Sequence, residues 1–263
     1  MPLTPLQREV ARLLANNRNP DSHVAGGAVI NRGESTLRYS DDLDIFHDVA
    51  ESVADSAARD ADTLLRHGFS VEWSLRREAI QKAVVGRGDD FLRLDWAADS
   101  AFRFFPVERD EEFGYCLHRA DLATNKILAL VGRVEPRDYL DVLELDRSYL
   151  SLGALIWAAC GKDEGYTPSL MLQMANRHSR HRDADFADER LARAIDAKQL
   201  KTQWLEATTK AEALFDRLPP EELGCLYIGR DGEACTPDPN SPTFPGLTRH
   251  YGSIRGAWPR FSS

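Results

Sequence analysis

The spacing of apolar residues changes near position 121, and this change constrains the fold more than any other feature of the sequence. Before it lie strand-like runs, written FSVEWSL, AIQKAVVG, FLRLDWAA and AFRFFPV in the sequence between residues 69 and 107. After it, apolar residues recur at helical spacing as far as residue 218. We therefore predict an α/β (α+β) protein with a mixed, partly antiparallel sheet, followed by a mainly helical C-terminal part.

The length of 263 residues is sufficient for two cores, and we predict three segments. They are an α/β domain over residues 1–120, a helical domain over 121–218 and a Pro- and Gly-rich, mostly irregular tail over 219–263. Residues 31–40 read as a polar loop. The predicted helices span residues 3–16, 47–67, 122–131, 136–149, 152–160, 169–177 and 197–218.

Composition restricts the environment and the partners. No run of 18 apolar residues is present and the N-terminal residues do not resemble a signal peptide, so we expect a cytoplasmic protein without a membrane segment. The four cysteines include no CxxC pair, which favours free thiols over a zinc ribbon or disulfides.

The net charge of −9 disfavours a broad nucleic-acid surface, so any such surface must be local. The basic residues named next are the candidates for such a surface, although they could equally be solvated residues of a helix end and of a loose tail. The candidates are Arg177, His178, Arg180, His181 and Arg182, and in the tail Arg249, His250, Arg255 and Arg260.

The segment GGAVINRGESTLRYSDDLDIF, from Gly26 to Phe46, is the most informative for chemistry. On a strand, residues two apart share a face, so Asp42 and Asp44 would lie side by side. Two neighbouring carboxylates repel each other unless a cation lies between them, and Mg²⁺ prefers such oxygen ligands. Two ions about 3.5–4 Å apart are possible. The preceding Gly26-Gly27 pair would allow the backbone to approach phosphates closely.

This combination resembles the signature of polymerase-β nucleotidyltransferases, hG[G/S] followed by DhDh. Here the matching residues are Ala25-Gly26-Gly27 and Asp42-Leu43-Asp44-Ile45. More narrowly, RYSDDLDIF is similar to the RxSxDhDhF motif of AbiEii-type nucleotidyltransferase toxins. The resemblance implies a polymerase-β-like N-terminal domain, an NTP substrate, and Arg38 and Ser40 as phosphate contacts. Alternatively, Arg38 neutralises the charge of Asp41 and does not contact phosphate.

A second match lies in LATNKILALVGRVEPRDYLDVLEL, residues 122–145. It is similar to a later motif of the same family, in which a lysine-bearing helix precedes an Arg-Asp-x-x-Asp helix. The resemblance implies that Lys126 reaches the triphosphate and that Asp138 or Asp141 positions this lysine or the nucleophile. An ordinary i,i+4 pair of Arg137 with Asp141 is the structural alternative.

The third carboxylate of the superfamily usually lies on a neighbouring strand. Asp95 is our candidate, because an aspartate between Leu94 and Trp96 is costly to bury unless it is paired or metal-bound. Asp99 is the second choice. We therefore expect Asp42, Asp44 and Asp95 to be the metal ligands, and Lys126, Asp138 and Asp141 to complete the catalytic set.

Together these matches imply Mg²⁺-dependent transfer of a nucleoside monophosphate from an NTP to a hydroxyl. In the resembled family the acceptor is often the 3′ end of tRNA, and the enzyme is the toxin of a pair with an antitoxin protein. An antibiotic-type small-molecule acceptor is one alternative. A catalytically weak binding or regulatory module on the same fold is the other.

Overall fold

The computed structural model describes residues 3–33 and 36–261, so residues 34 and 35 of the predicted loop and the last two residues of the predicted tail lie outside it. The helices are α1 Pro5–Ala15, α2 Gly26–Ile30, α3 Glu51–Arg66, α4 Arg119–Gly132, α5 Pro136–Ser148, α6 Leu152–Ala159, α7 Pro168–His178 and α8 Ala197–Phe215. The strands are β1 Ser22–Ala25, β2 Asp42–His47, β3 Ser70–Arg77, β4 Ile80–Arg87, β5 Asp90–Ala98, β6 Phe102–Arg103, β7 Glu108–Asp110, β8 Gly114–Cys116, β9 Leu226–Ile228, β10 Thr248–His250 and β11 Ser253–Ile254.

The chain divides into two compact units. The first comprises Met1–Ala101 and Pro106–Arg119, and the second comprises Phe102–Phe105 and Ala120–Ser263. The chain therefore enters the second unit briefly after β5 and returns to the first to form β7 and β8.

The first unit is organised around a sheet whose strand order is β3-β4-β5-β2-β1-β8-β7. Strand β2 pairs antiparallel with β1 and parallel with β5, so the sheet is mixed. Short turns connect β3 to β4 and β4 to β5, and both pairs are antiparallel. The predicted α/β class with a mixed sheet is confirmed.

A buried ion pair ties helix α3 to the loop after α1. Asp60 of α3 is fully buried, and both of its carboxylate oxygens accept from Arg18 Nη2 at 2.6 Å. The indole Nε1 of Trp96 on β5 donates to the same carboxylate at 2.7 Å. Charges are rarely buried unless they are paired and hydrogen-bonded, and these contacts satisfy Asp60. Helix α3 is thereby fixed to strand β5, an inner strand of the sheet.

Two local predictions were wrong. The helix predicted over 47–67 begins only at Glu51, because His47 continues strand β2. Of AFRFFPV only Phe102–Arg103 is a strand, and it pairs with β11 in the second unit and not with the main sheet. Within the largely irregular segment after residue 219, β9 pairs with β10 and β11 pairs with β6.

The second unit is mainly helical. Residues after 219 contribute to its core, in which Trp157 of α6 and Leu214 of α8 pack in one cluster with Cys225, Tyr227 and Phe244. All four cysteines of the chain are free thiols. Over the described residues, no helix combines the length and apolarity that crossing a membrane requires.

Candidate functional site

Strand β2 positions the acidic pair. Its residues alternate between half-buried and buried, and Leu43, Ile45 and His47 are the buried set. Asp42 and Asp44 therefore share the opposite face with Phe46, as the period of two predicts. Both edges of the strand are paired, since Asp44 lies across from Ala25 on β1 and from Asp95 on β5.

Gly26 lies directly against the carboxylate of Asp44. A Cβ atom added to Gly26 would lie 2.0 Å from Asp44 Oδ2. The φ angle of Gly26 is +71°, a region that side-chain-bearing residues rarely adopt. Two independent requirements thus restrict this position to glycine: the positive φ angle and the space that the Asp44 carboxylate occupies.

The neighbouring Gly27 makes room for two other predicted site residues. A Cβ on Gly27 would lie 2.7 Å from Arg38 Nη2 and 2.8 Å from Ser40 Oγ. Ser40 Oγ in turn donates to Asp42 Oδ1 at 2.9 Å. Arg38 is 3% exposed, so its guanidinium is held inside the site and does not extend into solvent. The glycine pair, Arg38, Ser40, Asp42 and Asp44 are therefore brought together.

The backbone that carries Ser40 is held from helix α1. Gln7 is buried, and its Nε2 donates to the carbonyl oxygen of Ser40 at 2.7 Å. The same side chain completes a capping box with Thr4 at the start of the helix. Sequence reasoning missed this role of Gln7, because a capping residue has no local feature that reveals a contact 33 positions away.

Asp95 shares the face of Asp44, since the two are register partners on the parallel strands β2 and β5. The next strand adds Lys82, the register partner of Asp95 on β4, whose Nζ contacts Asp95 Oδ2. The side chains of Lys82 and Asp95 are 39% and 24% exposed. An aspartate pair, a third aspartate and a lysine thus follow one another across β2, β5 and β4.

The donor chemistry of this face fits magnesium. Asp42 and Asp44 offer carboxylate oxygens on one strand, and Mg²⁺ is usually held by one or two carboxylates while substrate phosphates and water supply the remaining ligands. Among the described residues, no group of three or more His, Cys, Asp or Glu side chains is gathered closely enough to hold a metal ion. The assignment of Asp95 as a third ligand stays a prediction.

The other predicted residues form a cluster within the second unit. Lys126 Nζ of α4 lies 3.0 Å from Asp138 Oδ1 and 2.8 Å from Asp141 Oδ2 of α5. Arg133 Nε adds a contact of 2.6 Å to Asp138 Oδ2. Burial alone would raise the pKa of Asp138, but the charge of Lys126 and the hydrogen bond from Arg133 outweigh it and lower that pKa. Both aspartates therefore orient Lys126, and its contact with a triphosphate stays a prediction.

The remaining candidates have local contacts. Asp99 is exposed after the end of β5 and accepts from the backbone N–H of Ser100. His178 Nδ1 lies 2.9 Å from the carbonyl oxygen of Leu130, whereas the ring of His181 packs against Tyr139. The two histidines thus have different environments.

Comparison with known proteins shows the fold. No family model and no curated protein matches the sequence. Among solved structures, a provisionally assigned nucleotidyltransferase from H. pylori matches with a TM-score of 0.51 and 16% identity, over 81% of this chain and 99% of that one. MenT4, a nucleotidyltransferase toxin from Mycobacterium tuberculosis, matches with a TM-score of 0.53 and 14% identity, over 82% and 83%. The chain therefore has the fold of these nucleotidyltransferase structures.

Proposed function

We propose that this protein is a cytoplasmic, Mg²⁺-dependent nucleotidyltransferase that moves a nucleoside monophosphate from an NTP to the 3′ end of tRNA, as an AbiEii-type toxin with a cognate antitoxin. The observation that carries the proposal is the Asp42–Asp44 pair beside the close-packed Gly26, on a nucleotidyltransferase fold. Two neighbouring carboxylates on one face repel each other, and a cation that they share with a triphosphate would offset that repulsion.

Asp42 and Asp44 are the residues that would hold magnesium, and Asp95 is the proposed third ligand. The ion, when bound, supplies positive charge that offsets the charge of the triphosphate and of the departing pyrophosphate. Ser40 orients Asp42 through its 2.9 Å hydrogen bond, and Gln7 holds the backbone of Ser40. Gly26 leaves the space in which the Asp44 carboxylate lies.

The transfer forms a bond between the acceptor hydroxyl oxygen and the α-phosphorus of the NTP. It breaks the bond from that phosphorus to the bridging oxygen, and pyrophosphate leaves with the electron pair. The hydroxyl proton passes to a base, and we assign that role to Asp95, which lies beside Asp44 and is neutralised by Lys82 before the substrate binds. Arg38, buried against Gly27, contributes a fixed positive charge for phosphate.

The test is transfer of label from each α-labelled NTP to RNA in the presence of Mg²⁺. Asp42→Asn and Asp44→Asn remove a charge at nearly constant shape, so both should abolish labelling. Asp62→Asn is the matched control, because this aspartate is 71% exposed on α3 and contacts Arg66. Full activity of a folded Asp44→Asn variant would contradict the site.

The same assay separates the competing functions. Label in an added aminoglycoside but not in RNA would favour the small-molecule acceptor, which the net charge of −9 also favours. No transfer from any NTP to any acceptor would favour the binding module. Loss of labelling on chelation by EDTA, with recovery on added Mg²⁺, tests the cofactor.

A further inference from the structure

The C-terminal segment, residues 251–261, combines exposed aromatic side chains with arginine and contains no acidic residue. Tyr251, Trp258 and Phe261 are about half exposed, and Ile254 is 70% exposed. In the sequence the last acidic residue is Asp238, although the chain as a whole carries a net charge of −9. The segment thus presents apolar rings and positive charge in an otherwise acidic protein.

The backbone of this segment is held in place by hydrogen bonds within the second unit. Strand β11 pairs with β6, and the N–H of Ala257 donates to the carbonyl oxygen of Phe104 at 3.0 Å. Preceding the segment, His250 Nε2 lies 2.8 Å from the same carbonyl oxygen. The exposure of these aromatic residues therefore does not result from a loose chain end.

Trp258 is partly fixed as well as exposed. Its ring meets the buried Phe105 edge-on, with 5.7 Å between the ring centroids, and yet 57% of the residue remains accessible. A ring that is held by such a contact loses little conformational freedom when a planar group stacks on its accessible surface. Such a ring is suited to stacking with a base.

Two arginines supply the charge that faces solvent. Arg249 lies just outside the segment, and its guanidinium is engaged by Glu222 at 2.8 Å and by the carbonyl oxygen of Leu247 at 2.5 Å. Arg255 and Arg260 lie within the segment, and both are exposed. These two side chains are suitably placed to meet phosphates.

Arg255 has a backbone conformation that disfavours a side chain. Its φ angle is +64°, and among the described residues it is the only non-glycine with a positive φ. Gly256 follows with φ +68°, and its N–H donates to the carbonyl oxygen of Ser253. Glycine would adopt this turn without strain, so the arginine side chain is retained here at a cost in backbone energy.

We propose that the C-terminal segment binds a single-stranded part of the RNA acceptor, with unpaired bases stacking on Trp258 and its neighbouring aromatic residues and with phosphates contacting Arg255 and Arg260. The inference deepens the proposed function and rests on RNA as its acceptor class. Aromatic stacking combined with arginine is the mode by which proteins bind single strands with little sequence preference.

The experiment measures binding of a fluorescein-labelled 12-nucleotide RNA ending in CCA by anisotropy, without NTP, over a range of salt concentrations. Trp258→Ala should weaken binding at least about fivefold, because one stacked base is lost. Arg255→Gly should reduce the slope of log affinity against log salt by about 0.7, the share of one phosphate contact. Its melting temperature should equal or exceed that of the wild type, since the strain at φ +64° is relieved.

Matched controls come from the exposed face of helix α8 in the same unit. Leu205→Ala removes an apolar side chain that is 55% exposed, and Lys201→Ala removes an exposed positive charge. Both should leave affinity and slope unchanged. Wild-type binding to the same RNA in a duplex should be several-fold weaker, because paired bases cannot stack on the protein.

The proposal is overturned if Trp258→Ala and Arg255→Gly bind the RNA as the wild type does, or if single strand and duplex bind equally well. A changed oligomeric state with unchanged RNA affinity would assign the segment to a protein contact and would equally overturn it. Asp44→Asn separates this proposal from the catalytic one, because that variant should lose transfer but retain RNA affinity. RNA binding without any transfer would refute the enzyme but keep this surface.

Discussion

Replacing Gly26 by alanine tests the packing that holds the Asp44 carboxylate in place. The new Cβ would lie 2.0 Å from Asp44 Oδ2, whereas ordinary van der Waals contact begins near 3.4 Å. The carboxylate oxygen must therefore withdraw by about 1.4 Å or the backbone must shift. Either movement displaces the Asp44 carboxylate on the face of β2 that it shares with Asp42.

Two separate costs follow from this substitution. Alanine at φ +71° is strained by about 1–2 kcal/mol, which for a chain of this size lowers the melting temperature by about 2–8 °C. Displacing a catalytic group by about 1 Å lowers activity on the order of 100-fold. We expect both effects in Gly26→Ala, in a protein that remains folded.

Gly68→Ala separates strain from displacement. Gly68 has φ +79°, and no atom lies within 4 Å of the position of its added Cβ. This variant should lose the same few degrees in a thermal melt but keep its rate of label transfer and its calorimetric affinity for Mg²⁺ with NTP. Comparable activity in Gly26→Ala and Gly68→Ala would refute the claim that Gly26 is required by the carboxylate.

Three further predictions address the charged groups. Lys82→Met removes the ammonium partner of Asp95, so calorimetry should show Mn²⁺ binding up to about fivefold tighter, and weaker binding would contradict the arrangement. Lys126→Met leaves Asp138 buried with one cation fewer, so the free energy of unfolding in urea should fall by about 3–5 kcal/mol, and an unchanged midpoint would argue against the buried pair. Burial, aided by the charge of Arg18, lowers the pKa of His47 from 6.5 to about 4 in the folded protein. As the pH falls from 6.5 toward 4, the unfolded chain therefore binds a proton that the folded protein does not, and the free energy of unfolding decreases. In a plot of the free energy of unfolding against pH, His47→Gln should flatten this interval.

The alternation of residues along β2 was sufficient to predict the acidic face. Because a strand has a period of two, Asp42 and Asp44 had to share one side once Leu43 and Ile45 were assigned to the core. The glycine pair was also predicted to lie close to these acids, although the expected reason was access for phosphate. The structure shows another reason for glycine at both positions, because a Cβ atom would collide with the side chains of Asp44, Arg38 and Ser40.

Features that depend on distant pairing could not be predicted in this way. Lys82 reaches Asp95 because β4 and β5 are aligned in one register, and no pattern within either strand specifies that register. The strand character of Phe102–Arg103 was correctly indicated by its residues. Its partner, Ser253–Ile254, lies about 150 positions away in a segment whose Pro and Gly content suggested irregular structure.

Because residues 102–105 belong to the second unit, they determine where the chain can be truncated and when that unit can fold. Phe104 and Phe105 are almost completely buried, and their N–H groups donate to the carboxylate of Asp121 at 2.8 and 2.9 Å. A fragment ending near residue 119 would carry these two phenylalanines without their cover and would tend to aggregate. During synthesis β6, Phe102–Arg103, must wait until β11 leaves the ribosome, so the second unit can close only after residue 254 has been made.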